Sequence, residues 1–268
     1  MPRLTRIEAE YSDHIREAVG RFGDHEGITA GHILKWIGQF ADEHLPLAGK
    51  VLQTIRYYGA ANIRAMAREL VYIIWQEFPG VDRSRVIFVP VGSPGSGADI
   101  IVRILRQLQE VRGTRIVTMA DLERIDPGGV SGIVFIDDFS GTGDQLAEWW
   151  GIVEPIVRPK EVPILVALLV MNGRARSKIE EFAQAALCVN ELDEGADVFS
   201  EHNGDFDEIE KGLLLQYCER TGCEVSLVRG YGSCGLLVGF RHGCPNNSLP
   251  ILWFEHTRWR SLFMRRGI

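Results

Sequence analysis

Two neighbouring carboxylates, Asp137 and Asp138, are the residues of this chain best suited to chemistry. They follow the apolar run 133–136 and precede the small-residue segment 140–143, which reads Ser-Gly-Thr-Gly. Carboxylates accept hydrogen bonds from sugar hydroxyls and bind hard cations, and small residues let the backbone approach an anion closely. This order of residues predicts a sugar-phosphate site.

A strand and a helix must position this segment. The run 133–136 is typical of a strand in a parallel sheet covered on both faces, and such sheets bind ligands at the C-terminal ends of their strands. Beyond the loop, which ends at Asp144 and Gln145, apolar residues recur at helical spacing: Leu146, Trp149, Trp150 and Val153. The loop therefore leads into a helix N-terminus, where free N–H groups favour phosphate. The alternative is an Asp-rich turn with Thr142 or Asp144 as the helix cap.

A second strand-loop-helix unit precedes the first. Its loop, residues 92–97, is rich in glycine and serine, and an apolar helical pattern follows. The spacing of its first and last glycines is that of a P-loop, but Ala98 and Asp99 stand where that motif needs a lysine and a hydroxyl residue, which excludes an NTPase site of this type. No complete G-x-G-x-x-G is present, so the dinucleotide fingerprint also fails. Taken alone, this loop is more commonly explained by a tight strand-to-helix turn.

The acid pair and its loop resemble the phosphoribosyl-pyrophosphate (PRPP) motif of type I phosphoribosyltransferases, which has an apolar strand, two acids, two mostly apolar residues and a Thr-Thr-Gly-Gly-Thr-like loop. The resemblance implies a catalytic pair, Asp137 and Asp138, that faces the ribose hydroxyls. It implies a ribose-phosphate loop made of Ser140, Gly141, Thr142, Gly143, Asp144 and Gln145. It implies a pyrophosphate loop made of Gly92, Ser93, Gly95, Ser96 and Gly97. Mg²⁺ is the implied cofactor, carried on the ligand's own oxygens, and no side chain is assigned as its ligand.

Three features depart from the family pattern. Asp144 stands where the family usually has glycine, and Gln145 replaces the usual threonine or serine. A carboxylate aimed at a phosphate would repel it, so Asp144 must point outward, bind a cation or signal a changed ligand. Residues 119–131 occupy the place of the family's flexible loop, which normally closes over PRPP, and they form a short connection.

Composition restricts the class of protein. The chain has 268 residues, is 46% hydrophobic and carries a formal charge of −7, which argues against generic binding to nucleic acid or anionic membranes. The N-terminus lacks a signal-peptide apolar core and segment 163–171 is too short to span a bilayer, so we expect a cytoplasmic protein. The five cysteines form no C-x-x-C and fit no standard zinc spacing, so buried or surface thiols are expected.

The order of patterns predicts an α/β fold with a mainly parallel sheet flanked by helices, as in type I phosphoribosyltransferases. Residues 1–80 show helical apolar stripes, including one through Val51 to Tyr58. Residues 81–195 alternate strands and helices and form the predicted phosphoribosyltransferase-like core. Its predicted strands are 86–91, 116–118, 133–136, 164–170 and 187–189. Residues 196–268 form a predicted C-terminal α+β extension, or hood.

The tail from Pro245 to Trp253, with the acid-pair segment, resembles a narrower group of phosphoribosyltransferase-like proteins from bacterial conflict and anti-phage systems, some of them retron-associated. This extends the resemblance over roughly residues 80–268. Asn246 and Asn247 lie between prolines and suit a rigid loop that reads a base edge. An Asx-rich turn that ties the tail to the core explains them equally well.

The resemblance implies a protein that binds PRPP or a related nucleotide with Mg²⁺ and acts as a glycosyl-transferring or nucleotide-degrading effector in anti-phage defence. Asp144 and the short connection 119–131 favour an alternative, a sensor that binds PRPP or a nucleotide without chemistry. A third reading is a subunit that docks a partner protein of a defence complex through its helical region. The sequence leaves a homo-oligomer open.

Overall fold

The computed structural model describes residues 2–92 and 95–264. The chain divides into two compact units, one formed by Met1–Ala61 with Glu194–Ile268 and the other by Asn62–Asp193. We call them the terminal unit and the sheet unit. The two ends of the chain thus belong to the same unit. The predicted domain boundaries near residues 80 and 195 stay a prediction. Within the described residues, none of the helices combines the length and apolarity needed to cross a bilayer.

The elements follow one another as expected for an α/β chain. The helices are α1 (Arg3–Glu10), α2 (Ser12–Phe22), α3 (Ala30–Ile37), α4 (Leu45–Thr54), α5 (Ala60–Gln76), α6 (Gly97–Leu105), α7 (Met119–Leu122), α8 (Asp144–Val157), α9 (Gly173–Glu180), α10 (Glu208–Arg220) and α11 (Pro250–Trp253). The strands are β1 (Arg56–Tyr58), β2 (Val86–Pro90), β3 (Arg115–Ile116), β4 (Gly132–Ser140), β5 (Ile164–Asn172), β6 (Ala185–Leu192) and β7 (Val238–Phe240). Short 3₁₀ turns join several of them.

The sheet unit is built on a five-stranded parallel sheet with the order β3-β2-β4-β5-β6. Its central strands are apolar on both faces because helices cover both sides of the sheet; Ile87, Ile133, Phe135 and Val166 are almost completely buried. Ile133 pairs with Ile87 on one side and with Ile164 on the other. This confirms the predicted α/β class with a parallel sheet flanked by helices.

Strand β4 is longer than its apolar run. The sequence predicts a strand that ends at Ile136, but pairing with β5 continues as far as Ser140, which lies opposite Met171. Asp137 and Asp138 are therefore part of the strand, and its pairing with β5 at Asp137 and Phe139 fixes their positions. A carboxylate within a paired strand is held more rigidly than one in a turn.

The terminal unit has a mainly helical, aromatic core. Two indole N–H groups, from Trp36 of α3 and from Trp259, donate to the Ile251 carbonyl at 2.9 and 3.0 Å. The prediction of a helix that continues to Tyr58 is wrong. The helix α4 stops at Thr54, and β1 follows and pairs in parallel with β7. The partner strand comes from the other end of the chain, and its backbone groups decide the conformation of β1.

Candidate functional site

The loops after β2 and β4 meet at one edge of the sheet. The two strands are parallel neighbours, and the Val91 N–H donates to the Ile136 carbonyl at 2.9 Å just where β2 ends. Gly97, the first residue of α6, lies directly against the Asp138 carboxylate. A Cβ atom added to Gly97 would lie 2.2 Å from Oδ2 of Asp138. The predicted pyrophosphate loop and the predicted acid pair are therefore in contact.

Asp137 is buried, with 8% of its surface exposed, and Asp138 is half-buried. The Asp138 N–H donates to Oδ1 of Asp137 at 2.9 Å. Burial raises the pKa of the Asp137 carboxyl well above its usual range, and the neighbouring Asp138 charge and hydrogen bond raise this pKa further. Asp137 is buried because β4 continues beyond the apolar run into the paired part of the sheet. The pair therefore keeps a proton to a higher pH than two isolated carboxylates would.

The loop after β4 presents unpaired backbone donors. Gly143, the helix cap of α8, has a left-handed φ of 80°, which turns the chain sharply into the helix. The first intrahelical bond runs from the Ala147 N–H to the Gly143 carbonyl. Among the residues that the structure describes, the N–H groups of Thr142, Gly143 and Gln145 have no acceptor. Such a group of donors at a helix N-terminus suits a phosphate.

Asp144 is paired with a cation, Lys178 of α9. The Thr142 hydroxyl donates to Oδ2 of Asp144 at 2.8 Å, and the Asp144 N–H approaches the same hydroxyl at 3.3 Å. Of the alternatives that the sequence leaves open for Asp144, the structure shows a cation partner from the protein itself. Lys178 is a residue that sequence reasoning missed, because it lies 34 residues further along the chain and belongs to no motif.

The loop after β2 is bound to its own helix. Gly92 and Gly95 have left-handed φ angles of 84° and 91°. The Gly95 N–H donates to Oδ2 of Asp99 in the first turn of α6 at 2.6 Å, and the Ser96 hydroxyl donates to the Val91 carbonyl at 3.2 Å. The predicted pyrophosphate ligand Ser93 lies outside the described residues. A carboxylate of the protein thus occupies at least one of the backbone donors of this loop.

Asn246 and Asn247, the predicted base-binding residues, belong to the terminal unit. The side chain of Asn247 is 6% exposed, and its amide nitrogen donates to the Tyr231 carbonyl at 3.1 Å. The Asn246 carbonyl accepts from the Tyr231 N–H at 2.7 Å. These bonds tie residues 246 and 247 to the Tyr231 segment, as in the structural alternative, and base binding stays a prediction.

Two further expectations concern metals and the short connection. In the described part of the chain, no group of three or more His, Cys, Asp or Glu side chains is arranged to hold a metal. The carboxylate oxygens of Asp138 are hard donors of the kind that Mg²⁺ binds. Segment 119–131 folds into α7 and a 3₁₀ turn, Pro127–Gly129, with the Thr118 side chain capping α7.

The chain belongs to the PRTase-CE family, which matches residues 33–265. The match begins within α3 and includes α4, so the family begins earlier in the chain than the resemblance over residues 80–268 implies. This membership makes the chain a phosphoribosyltransferase-like protein and agrees with the acid pair and its loop at the sheet edge.

Solved structures with related folds share 14% identity with this chain. A hypothetical protein from Neisseria gonorrhoeae with bound ppGpp has a TM-score of 0.37 over 52% of this chain and 85% of its own. The xanthine-guanine-hypoxanthine phosphoribosyltransferase of Helicobacter pylori has a TM-score of 0.35 over 50% and 85%. A hypoxanthine-guanine-xanthine phosphoribosyltransferase has a TM-score of 0.33 over 54% and 84%. The comparison with curated proteins gives no match. Similarity at this level does not define the ligand of this chain.

Proposed function

We propose that this protein binds PRPP or a related ribose phosphate or nucleotide, together with Mg²⁺, at the C-terminal edge of its five-stranded sheet. The observation that carries the proposal is the contact between Gly97 and the Asp138 carboxylate, because it joins a glycine-rich loop to an acid pair and a helix N-terminus. Membership of the PRTase-CE family supports the same ligand class.

Each part of this edge has a role in the proposal. The unpaired N–H groups of Thr142, Gly143 and Gln145 would hold the 5′-phosphate. Asp138, which is half-buried, would accept hydrogen bonds from the ribose hydroxyls, while the protonated form of Asp137 can donate one. Loop 92–97 would hold the pyrophosphate. When bound, Mg²⁺ would neutralise the negative charge of the phosphate oxygens.

The reaction class in this proposal is glycosyl transfer or nucleotide cleavage. The bond from C1 of the ribose to the leaving group breaks, and its electron pair departs with the leaving group. A base nitrogen or a water forms the new bond to C1 and releases its proton to solvent. Positive charge develops on the ribose in this step, and the carboxylate of Asp138 would stabilise it. The loops would keep the two ends of the ligand in place while the bond breaks.

We include a role in bacterial anti-phage defence, and a cytoplasmic location, in the proposal. They rest on the resemblance of the tail from Pro245 to Trp253 and of the acid-pair segment to proteins of conflict systems. Plating phage on cells that carry the wild-type gene or Asp138→Asn tests the role. Equal plaque numbers with and without the wild-type gene, across a broad phage set, would remove the defence role and leave ligand binding intact.

A sensor without chemistry is the second candidate. It is favoured by the short segment 119–131 and by the Asp99 carboxylate, which occupies a backbone donor of the predicted pyrophosphate loop. Both features limit how tightly a departing pyrophosphate is held and shielded from water. A sensor needs only the binding part of the site.

One experiment separates the two candidates. Wild type and Asp138→Asn are incubated with PRPP, a nucleotide pool and Mg²⁺, and the mixture is read by mass spectrometry. The protein is an enzyme if PRPP or a nucleotide is consumed, or a new compound appears, with wild type but not with Asp138→Asn. The protein is a sensor if the compounds stay unchanged but one of them binds. A bound ligand at about one hundred times its Kd raises the free energy of unfolding by about 2.7 kcal/mol. If the wild type shows neither turnover nor binding, the proposed function is rejected.

A further inference from the structure

The loop after β4 contains a charge that should weaken it. Asp144 is the first residue of α8, directly beside the unpaired N–H groups of Gly143 and Gln145. A bound phosphate would therefore lie next to a carboxylate. Like charges a few ångströms apart repel strongly at the low effective dielectric of a protein surface. A phosphate site of this kind needs a cation that offsets Asp144.

Lys178 is held at this loop by the fold. Strand β5 ends at Asn172 and α9 begins at once, with the Asn172 side chain capping the Arg174 N–H at 3.0 Å. The inner face of α9 is fixed in the core by Ala175 and Ile179, both fully buried. Since β4 and β5 are parallel neighbours, α9 starts at the same sheet edge as the loop.

The loop and α9 are in close contact. A Cβ atom placed on Gly143 would lie 3.2 Å from Cβ of Lys178 and 3.3 Å from the Ala175 carbonyl oxygen. From this position the Lys178 ammonium reaches Asp144. Because an ammonium carries three donors, one lysine can contact a carboxylate and a phosphate oxygen at the same time. The partial exposure of this pair, 42% for Lys178 and 30% for Asp144, leaves it open to a ligand.

We propose that Lys178 is a phosphate-binding residue of the loop after β4 and that Asp144 positions it there. This inference rests on the proposed function and adds a ligand to it from a helix outside the PRPP-like segment. Asp144 then holds the ammonium beside the unpaired N–H groups, and the phosphate receives backbone and side-chain donors together. The loop gains a cation that its own residues do not contain.

The test measures the Kd of ribose 5-phosphate by calorimetry for Lys178→Met, Asp144→Asn and the double variant. We expect Lys178→Met to weaken binding at least about tenfold, as for a lost charged hydrogen bond. Asp144→Asn should stay within about fivefold of wild type, because it removes both the contact that positions Lys178 and a negative charge that repels the phosphate, two effects of opposite sign. The loss caused by Lys178→Met should persist in the Asp144→Asn background, since the lost contact is with the phosphate.

Controls separate this contact from general charge effects and from misfolding. Lys178→Arg keeps the charge and should keep most of the affinity, while Lys178→Gln provides a second neutral variant if Lys178→Met does not fold. Lys35→Met removes the same charge from an exposed position in the terminal unit and should leave the Kd unchanged.

The remaining outcomes overturn the inference in distinguishable ways. A loss that disappears in the Asp144→Asn background would mean that Lys178 only neutralises Asp144. Wild-type affinity for both Lys178→Met and Lys178→Gln would exclude any role for Lys178 in binding, with the proposed function intact. If wild type itself does not bind ribose 5-phosphate while its fold is intact, the inference and the ribose-phosphate site fail together.

Discussion

The two loops at the C-terminal edge of the sheet each carry a carboxylate at the start of the following helix, but they satisfy it differently. In the loop after β2, Asp99 accepts a hydrogen bond from the Gly95 N–H of the same loop. In the loop after β4, Asp144 pairs with Lys178 of α9, a helix that follows the next strand. The first loop uses its own backbone donor, and the second uses the Thr142 hydroxyl together with a cation from another helix.

The effect of an acid in an anion-binding loop therefore depends on the partner that holds its carboxylate. Backbone N–H groups bind phosphate only when they are open to it. In the loop after β4, the N–H groups of Thr142, Gly143 and Gln145 have no acceptor among the described residues, and Asp144 is paired with Lys178 instead. The loop after β2 must exchange Asp99 for a ligand before the Gly95 N–H can bind pyrophosphate.

Gly97→Ala should break the junction between the two loops and have the largest effect. The added Cβ would lie 2.2 Å from Oδ2 of Asp138, so the carboxylate or the start of α6 must move. We expect ribose 5-phosphate to bind at least about tenfold more weakly, and unfolding in urea to show a loss of about 1–3 kcal/mol from overpacking.

Gly151→Ala is the matched control, because it lies in α8 with no atom within 4 Å of an added Cβ. It should raise stability by about 0.5–1 kcal/mol and leave binding unchanged. Wild-type affinity for Gly97→Ala would show that the two loops do not act as one site.

Asp138→Asn tests whether the charge at this junction is used by the ligand. The side chain keeps its shape while its negative charge is lost, so turnover, or affinity in a sensor, should fall by roughly tenfold or more. Asp137→Asn should cost less, because an amide can accept from the Asp138 N–H and donate as the protonated carboxyl does. A larger loss for Asp137→Asn than for Asp138→Asn in ligand titrations would reverse these roles.

The sequence predicts the parts of the site that are contiguous in the chain. The apolar run, the acid pair and the small residues up to Gly143 define a strand, a loop and a helix start, because each depends on neighbouring residues. Lys178 could not be predicted in this way. Its position results from the pairing of β4 with β5 and from the burial of one face of α9, neither of which leaves a local pattern.

Tertiary pairing also explains two predictions that fail. The residues of β1 continue a helical stripe, but they form a strand because β7 provides the hydrogen-bonding partners. The strand predicted to end at Ile136 continues to Ser140, and Asp137 is buried, because β5 runs beside β4 as far as Met171. In both cases a distant strand decides the environment of a residue whose own neighbours indicate something else.

The burial of Asp137 predicts a pH-dependent cost that Asp137→Asn should remove. Its folded-state pKa is raised, so the folded protein binds more protons than the unfolded chain, and wild-type stability falls as pH rises above the usual carboxyl pKa. The fall ends above the raised pKa, where both states are ionised. Asp137→Asn should therefore become more stable than wild type as pH increases toward neutrality, measured by urea unfolding across pH. A stability difference that is independent of pH would contradict the raised pKa.

Asp99→Asn should have a small effect on ligand binding, and it tests whether the two loops hold their carboxylates differently. Asp99→Asn replaces a charge-assisted bond to the Gly95 N–H by a neutral one, which is about half as strong. Pyrophosphate then competes better for that N–H and meets one negative charge fewer, so its affinity should rise by about fivefold, or about 1 kcal/mol.

Asp144→Asn should leave pyrophosphate binding unchanged, because the charge of Asp144 is already balanced by Lys178 and its loop faces the other end of the ligand in the proposed site. Calorimetric titration of both variants with pyrophosphate and Mg²⁺ gives the comparison. If both raise the affinity equally, the two carboxylates act only through the net charge of the edge, and the distinction between an internally bound and an externally paired carboxylate is wrong. If only Asp99→Asn does so, Asp99 competes with the ligand for the backbone donor of its own loop.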